Sequence, residues 1–159
     1  LELARFPFLA INIYDSDTNR RADFCDSSVM VDLGEIQIGF IGAIGDCYSS
    51  ISGEMSEGYY FKTGNELSDL IMAESEYLRE QGADFIVLSI HDSTSGYDSG
   101  LSSGGYVDIV FEGHSHSRYV TTDAYGVYHL QGGGDNSSGL SYACVSYNFA
   151  NDNRHYRFS

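Results

Sequence analysis

Phe85-Ile86-Val87-Leu88-Ser89-Ile90-His91-Asp92 decides the fold, and Val107-Asp108-Ile109-Val110-Phe111-Glu112-Gly113-His114-Ser115-His116 repeats its logic. Each opens on a short, almost wholly apolar run, the pattern of a strand covered on both faces, and each closes on histidine. Upstream of the first run, Asn65 is positioned to cap a helix from Glu66 to about Gln81, which Gly82 ends. Leu67, Leu70, Ile71, Tyr77 and Leu78 are expected to share its buried face. A helix feeding a buried strand signals a βαβ-type layer, and the pattern recurs more weakly after Gly96 to Gly105.

Working outward, Phe8 to Tyr14 reads as a buried strand, and Ser28 to Val31 and Glu35 to Ile44 as two strands joined near Asp32-Leu33-Gly34. A loop rich in Gly, Ser and Tyr fills Gly42 to Gly64. From Tyr119 onward the helical period disappears. Val127 to Gln131, Leu140 to Phe149 and Arg154 to Phe158 alternate like antiparallel strands, and Gly132 to Asn136 is a turn or loop. There is no internal repeat and no interdomain linker, so the 159 residues read as one α/β domain or part of one.

A hydrophobic fraction of 42%, with 13 Tyr and 9 Phe, demands a packed core. Eight basic against 23 acidic residues give a net charge of -15, a surface that repels phosphate backbones and anionic lipid. Nucleic-acid binding and membrane insertion are therefore not expected, and no apolar run approaches a bilayer span. A small phosphorylated substrate stays compatible, because a divalent cation reverses the field inside a cleft. Cys25, Cys47 and Cys144 form no C-x-x-C pair, so neither a zinc ribbon nor a thioredoxin-like motif is supported. Leu1 to Phe8 lacks the n-region and h-region of a signal peptide.

Ligands of open α/β sheets gather beyond the C-terminal ends of strands, where His91 and the Gly113-His114-Ser115-His116 segment fall. Imidazole is a common ligand of transition metals, so His91, His114 and His116 are the candidate metal ligands. Asp92 is placed to orient an imidazole, and Gly113 to let the backbone turn sharply. The competing reading is a solvent-exposed His-x-His pair. Position tells against it, since three of the five histidines follow the two most apolar runs, whereas His129 and His155 sit within alternating strands and read as structural. Ser115 misses the nucleophile elbow at its last glycine, and Gly132-Gly133-Gly134 lacks the Lys-Ser or Lys-Thr of a phosphate-binding loop. With 23 acidic residues, no catalytic carboxylate pair stands out.

On these residues the chain resembles the calcineurin-like metallophosphoesterases, in the branch of 5'-nucleotidases and 2',3'-cyclic-nucleotide phosphodiesterases. Phe6 to Ile13, Ile38 to Gly42, Gly82 to His91 and Tyr128 to Gly133 are similar to successive strands of that branch. Val107 to His116 resembles its Gly-His-x-His signature, the most specific match. The resemblance implies a partial four-layer α/β/β/α sandwich with mixed sheets. It also implies two divalent cations (Zn, Mn, Fe, Mg or Ca), with His91 and His114 on one and His116 on the other. The implied substrate is a small phosphorylated molecule, a nucleotide, and the implied location extracellular, cell-surface or periplasmic.

The family's earlier motifs, Asp-x-His, Gly-Asp and Gly-Asn-His-Glu, are expected upstream of Leu1. Residues 1–159 are then expected to be the C-terminal part of a catalytic domain, with little activity alone. Two alternatives stand beside this: a non-catalytic metal- or partner-binding fragment, and a mononuclear zinc hydrolase built on His91, His114 and His116.

Overall fold

The Phe85–His91 run forms β5, near the middle of a six-stranded sheet, in the computed structural model, which describes residues 3–92, 98–134, 140–148 and 153–158. Its partners are β2 (Ser28–Asp32), β3 (Gln37–Ile44), β6 (Ile109–Glu112), β7 (Arg118–Thr122) and β8 (Tyr128–Gly132), in the order β2-β3-β5-β6-β8-β7. Neighbours among β3, β5, β6 and β8 run parallel, and the edge strands β2 and β7 are antiparallel. Parallel pairing brings the C-terminal ends of β3, β5 and β6 to one edge of the sheet, with Ile44 opposite His91 and Ile90 opposite Glu112.

The two-residue period of β5 divides the core. Ile86, Leu88 and Ile90 pack with Leu67, Ile71 and Leu78 of α1 (Gly64–Glu80) and Leu101 of α2 (Asp98–Ser103). Phe85 and Val87 turn to the opposite face with Ile109 and Leu130, against Ala143 and Val145 of β9 (Ala143–Asn148). That strand pairs antiparallel with β10 (Asn153–Phe158). Helices, mixed sheet and hairpin thus stack as three layers, consistent with part of an α/β/β/α sandwich. Fully burying one aliphatic side chain such as Leu67, Ile71 or Leu88 contributes about 1.5–3 kcal/mol. At the end of α1, Arg79 Nη2 lies 2.6 Å from Asp108 Oδ2, an oxygen that also accepts the Ile86 N–H at 2.7 Å, tying helix to sheet.

Several expectations shift. Thr63, not Asn65, is the N-cap of α1, and Ser75 replaces Tyr77 on its buried face. Tyr77 is 54% exposed, one residue away from the Leu67, Ile71, Leu78 stripe and thus rotated by about 100°. The first strand is shorter than its apolar letters suggest: Ile13–Asp15 (β1) pairs with β4 (Tyr59–Phe61), while upstream Leu9 forms only an isolated parallel bridge with Asp26. Fully buried Asn12 marks the break: its amide accepts the Ile44 N–H and donates to the Ile44 and Lys62 carbonyls, while the Ala10 and Ile11 N–H groups bond the Asp26 and Gly42 carbonyls. The expected loop also contains a 3-10 turn, Asp46–Ser50. β7 went unforeseen because only Tyr119 of its five residues turns inward. Strand β8 buries His129, Leu130 and Gln131 consecutively rather than alternating, as its place between β6 and β7 requires. Residues 135 and 136 of the expected turn lie outside the described residues.

Candidate metal centre

Three strand ends build the site. β3 runs into Gly45-Asp46-Cys47, β5 ends on His91, and β6 runs into Gly113-His114. Backbone bonds stitch these ends together: the His91 carbonyl accepts the Gly45 N–H at 3.4 Å and the Cys47 thiol, and the Asp92 carbonyl accepts the Gly113 N–H at 3.1 Å. One sulfur of Cys47 and one ring nitrogen each of His91 and His114 lie within 4.8 Å of one another. The two imidazoles face each other edge to face, 5.5 Å between centroids at 79°. Both histidines are exposed, so their nitrogens are open to a ligand from solvent, whereas Cys47 is half-buried.

Gly113 serves this arrangement differently from the expected sharp turn. A Cβ on it would fall 2.8 Å from His91 Nδ1, so glycine is needed for the ring to lie over the backbone. The left-handed positions belong to the histidines, with φ of 76° at His114 and 57° at His116. Such conformations disfavour an ordinary side chain by about 1–2 kcal/mol each. Histidine is among the residues that tolerate them best. Hydrogen bonds between Ser115 Oγ and the buried Gln131 amide, at 2.8 and 3.1 Å, hold the segment between the two strained residues. Ser115 is a brace.

His116 stands apart from the group of three. Its side chain lies against Gly134, where an added Cβ would come within 2.5 Å of the ring's Cγ. Asp92 is 3% exposed and its Oδ2 accepts the Asp46 N–H at 2.7 Å, which fixes the loop that presents Cys47. Burial pushes the Cys47 thiol up from its ordinary value, and the Asp92 carboxylate adds to the rise. A cation at the three donors would supply the missing countercharge and displace the thiol proton. Tetrahedral zinc ligands at about 2.0–2.3 Å from the metal are about 3.3–3.6 Å apart, so three donors within 4.8 Å of one another would draw together on binding.

His129 is 6% exposed, with Nδ1 3.3 Å from Glu112 Oε1 and Nε2 3.5 Å from Asp123 Oδ2, and the Tyr119 hydroxyl closes on the other oxygen of Glu112. It bridges β8 to the end of β6 and to the turn after β7. His155 falls on β10, and its side chain is outside the described residues. Cys47 is the residue that sequence reasoning missed. The signal was positional: it follows the apolar Ile38–Ile44 stretch just as His91 and His114 follow theirs.

No protein-family model and no curated protein matches the sequence. Solved structures do match its fold. A Staphylococcus aureus protein assigned as a 5'-nucleotidase superposes with a TM-score of 0.74 at 18% identity, over 99% of this chain and 32% of its own. The sulfate thiohydrolase SoxB of Thermus thermophilus gives 0.72 at 20% identity, over 99% and 28%. The calcineurin-like phosphoesterase YfkN of Bacillus subtilis gives 0.67 at 15% identity, over 98% and 55%. The chain thus has the fold of a metallophosphoesterase catalytic domain in part, and spans about a third of the first two proteins. Among the described residues, no helix is long and apolar enough to cross a membrane.

Proposed function

We propose that this chain contributes the histidine-bearing part of a metal-dependent phosphoester hydrolase that acts on small phosphorylated substrates of the nucleotide class, outside the cytoplasm. The observation that carries the reading is the meeting of His91 and His114 at adjacent strand ends, in a fold shared with nucleotidase and phosphoesterase structures. His91 and His114 hold one divalent cation, and His116, on the far side of Ser115, holds a second together with residues contributed from upstream of Leu1. Residues 1–159 then form the C-terminal part of the catalytic domain. Bound cations supply Lewis acidity toward a phosphoryl oxygen and lower the pKa of water.

The chain's own residues orient and brace. Gly113 admits the His91 ring, Ser115 and Gln131 hold the strained loop, and Asp92 pins the loop opposite. In a protein of charge -15, a cationic site is also what allows an anionic substrate to approach. The test is phosphate release from a nucleoside monophosphate by a longer protein that includes the upstream motifs, beside the 159-residue chain. Chelator-sensitive turnover by the longer protein, abolished by His114→Ala, is expected, with little from the chain alone. Turnover that survives chelation, or that His114→Ala leaves intact, refutes the reading.

A further inference from the structure

The sulfur of Cys47 is the donor that neither the histidine pattern nor the phosphoester chemistry calls for. It sits in the 3-10 turn that follows β3, held to the His91 carbonyl by its own thiol. The loop is fixed from both sides: Gly45 N–H bonds the same carbonyl at 3.4 Å, and the Asp46 N–H bonds the buried Asp92 carboxylate at 2.7 Å. These bonds fix the loop backbone that brings the sulfur within 4.8 Å of a ring nitrogen of each histidine. Loss of the thiol proton to a cation leaves the His91 carbonyl with the Gly45 N–H, so no buried acceptor is orphaned. Cys25, by contrast, is buried against Ala10 and Ala22, and Cys144 lies exposed on β9.

We infer that Cys47 is a third ligand of the cation held by His91 and His114, making this a sulfur-bearing site selective for a thiophilic divalent metal of the zinc class over magnesium, calcium and manganese. The ground is ligand softness: oxygen-preferring cations gain little from a sulfur donor, whereas zinc and cobalt bind one Cys with two His readily, in tetrahedral geometry with a fourth position open. The inference rests on the metal-site part of the proposed function. It adds a preference that the histidines alone do not impose.

Cobalt(II) substitution tests it without recourse to activity. The chain loaded with cobalt is expected to show a sulfur-to-cobalt charge-transfer band in the near ultraviolet, absent from Cys47→Ser and retained in Cys144→Ser. Serine keeps the hydrogen bond to the His91 carbonyl, so Cys47→Ser is expected to fold, and circular dichroism checks that it does. By calorimetry, zinc affinity is expected to fall in Cys47→Ser by at least the about 10- to 100-fold that losing a group behind a ligand costs, with manganese affinity almost unchanged. Cobalt bound without the band, or a zinc-to-manganese preference equal in wild type and Cys47→Ser, overturns the role of Cys47 and leaves the histidine site standing. Zinc bound equally well by the His91→Ala, His114→Ala double variant overturns both.

Discussion

Gly113→Ala is the sharpest test of the geometry. The new methyl group would lie 2.8 Å from His91 Nδ1, closer than real Cβ atoms come to their neighbours, so the ring must leave its place over the backbone. His91 is exposed and free to rotate into solvent, so the strain relaxes through the side chain and not the core. Overpacking in a closed core costs about 1–3 kcal/mol, and this site belongs at the bottom of that range. About 1 kcal/mol corresponds to a fall of about 2–4 °C in Tm for a domain of this size. The proposed metal site has no such tolerance. Moving one of its imidazoles off the shared centre is expected to weaken zinc binding by about 10- to 100-fold. Competition with a chromophoric chelator measures the affinity, and thermal unfolding without metal measures the stability. Gly53→Ala, which meets nothing within 4 Å, is the control that should change neither. Wild-type affinity in Gly113→Ala would refute the placement of His91, and with it the site.

His114→Ala is expected to abolish metal retention, measured by elemental analysis after dialysis, with little change in Tm because the side chain is exposed. His129→Ala should do the reverse: it strips buried Glu112 of a partner and is expected to cost about 1–3 kcal/mol, read by denaturant unfolding, while metal content holds. Arg79→Ala removes the ion pair with Asp108 and keeps the bond from the Ile86 N–H. Since Arg79 is 31% exposed, about 1–2 kcal/mol is expected from the same assay, without effect on metal binding. Burial opposes the charge on Asp123, yet the Ser102 side chain and the Tyr125 and Val127 N–H groups hold its carboxyl below the ordinary aspartate value. A lowered folded pKa means that the unfolded chain binds the proton more readily. This stabilisation is therefore full above about pH 4 and is lost as pH falls through the folded value. Asp123→Asn should accordingly lower Tm at neutral pH, and the gap to wild type should narrow on acidification below about pH 4.

What the letters revealed and what they hid divide along physical lines. β5, β6 and α1 were legible because each carries a long-range signal in local sequence: continuous apolar runs for strands covered on both faces, and a 3.6-residue stripe for the helix. The break in the Phe8–Tyr14 run was not, since it depends on Asn12 meeting Ile44 and Lys62, 32 and 50 residues away. The site divides in the same way. His91 and His114 were legible through residue type at strand ends, and parallel pairing of β5 with β6 sets those ends side by side, where the two rings meet edge to face. Cys47 occupied an equivalent position after β3, yet cysteines were weighed only by spacing to other cysteines. Spacing along the chain is the right measure where one loop supplies all the ligands, as in a zinc ribbon. In a parallel sheet, ligands come from successive strand ends some tens of residues apart, here at 47, 91 and 114. The useful pattern is therefore the residues at and just beyond the end of each buried strand, compared across strands. Read that way, Cys47, His91 and His114 fall at the same end of three neighbouring strands, and the proposed donor set is legible in the sequence.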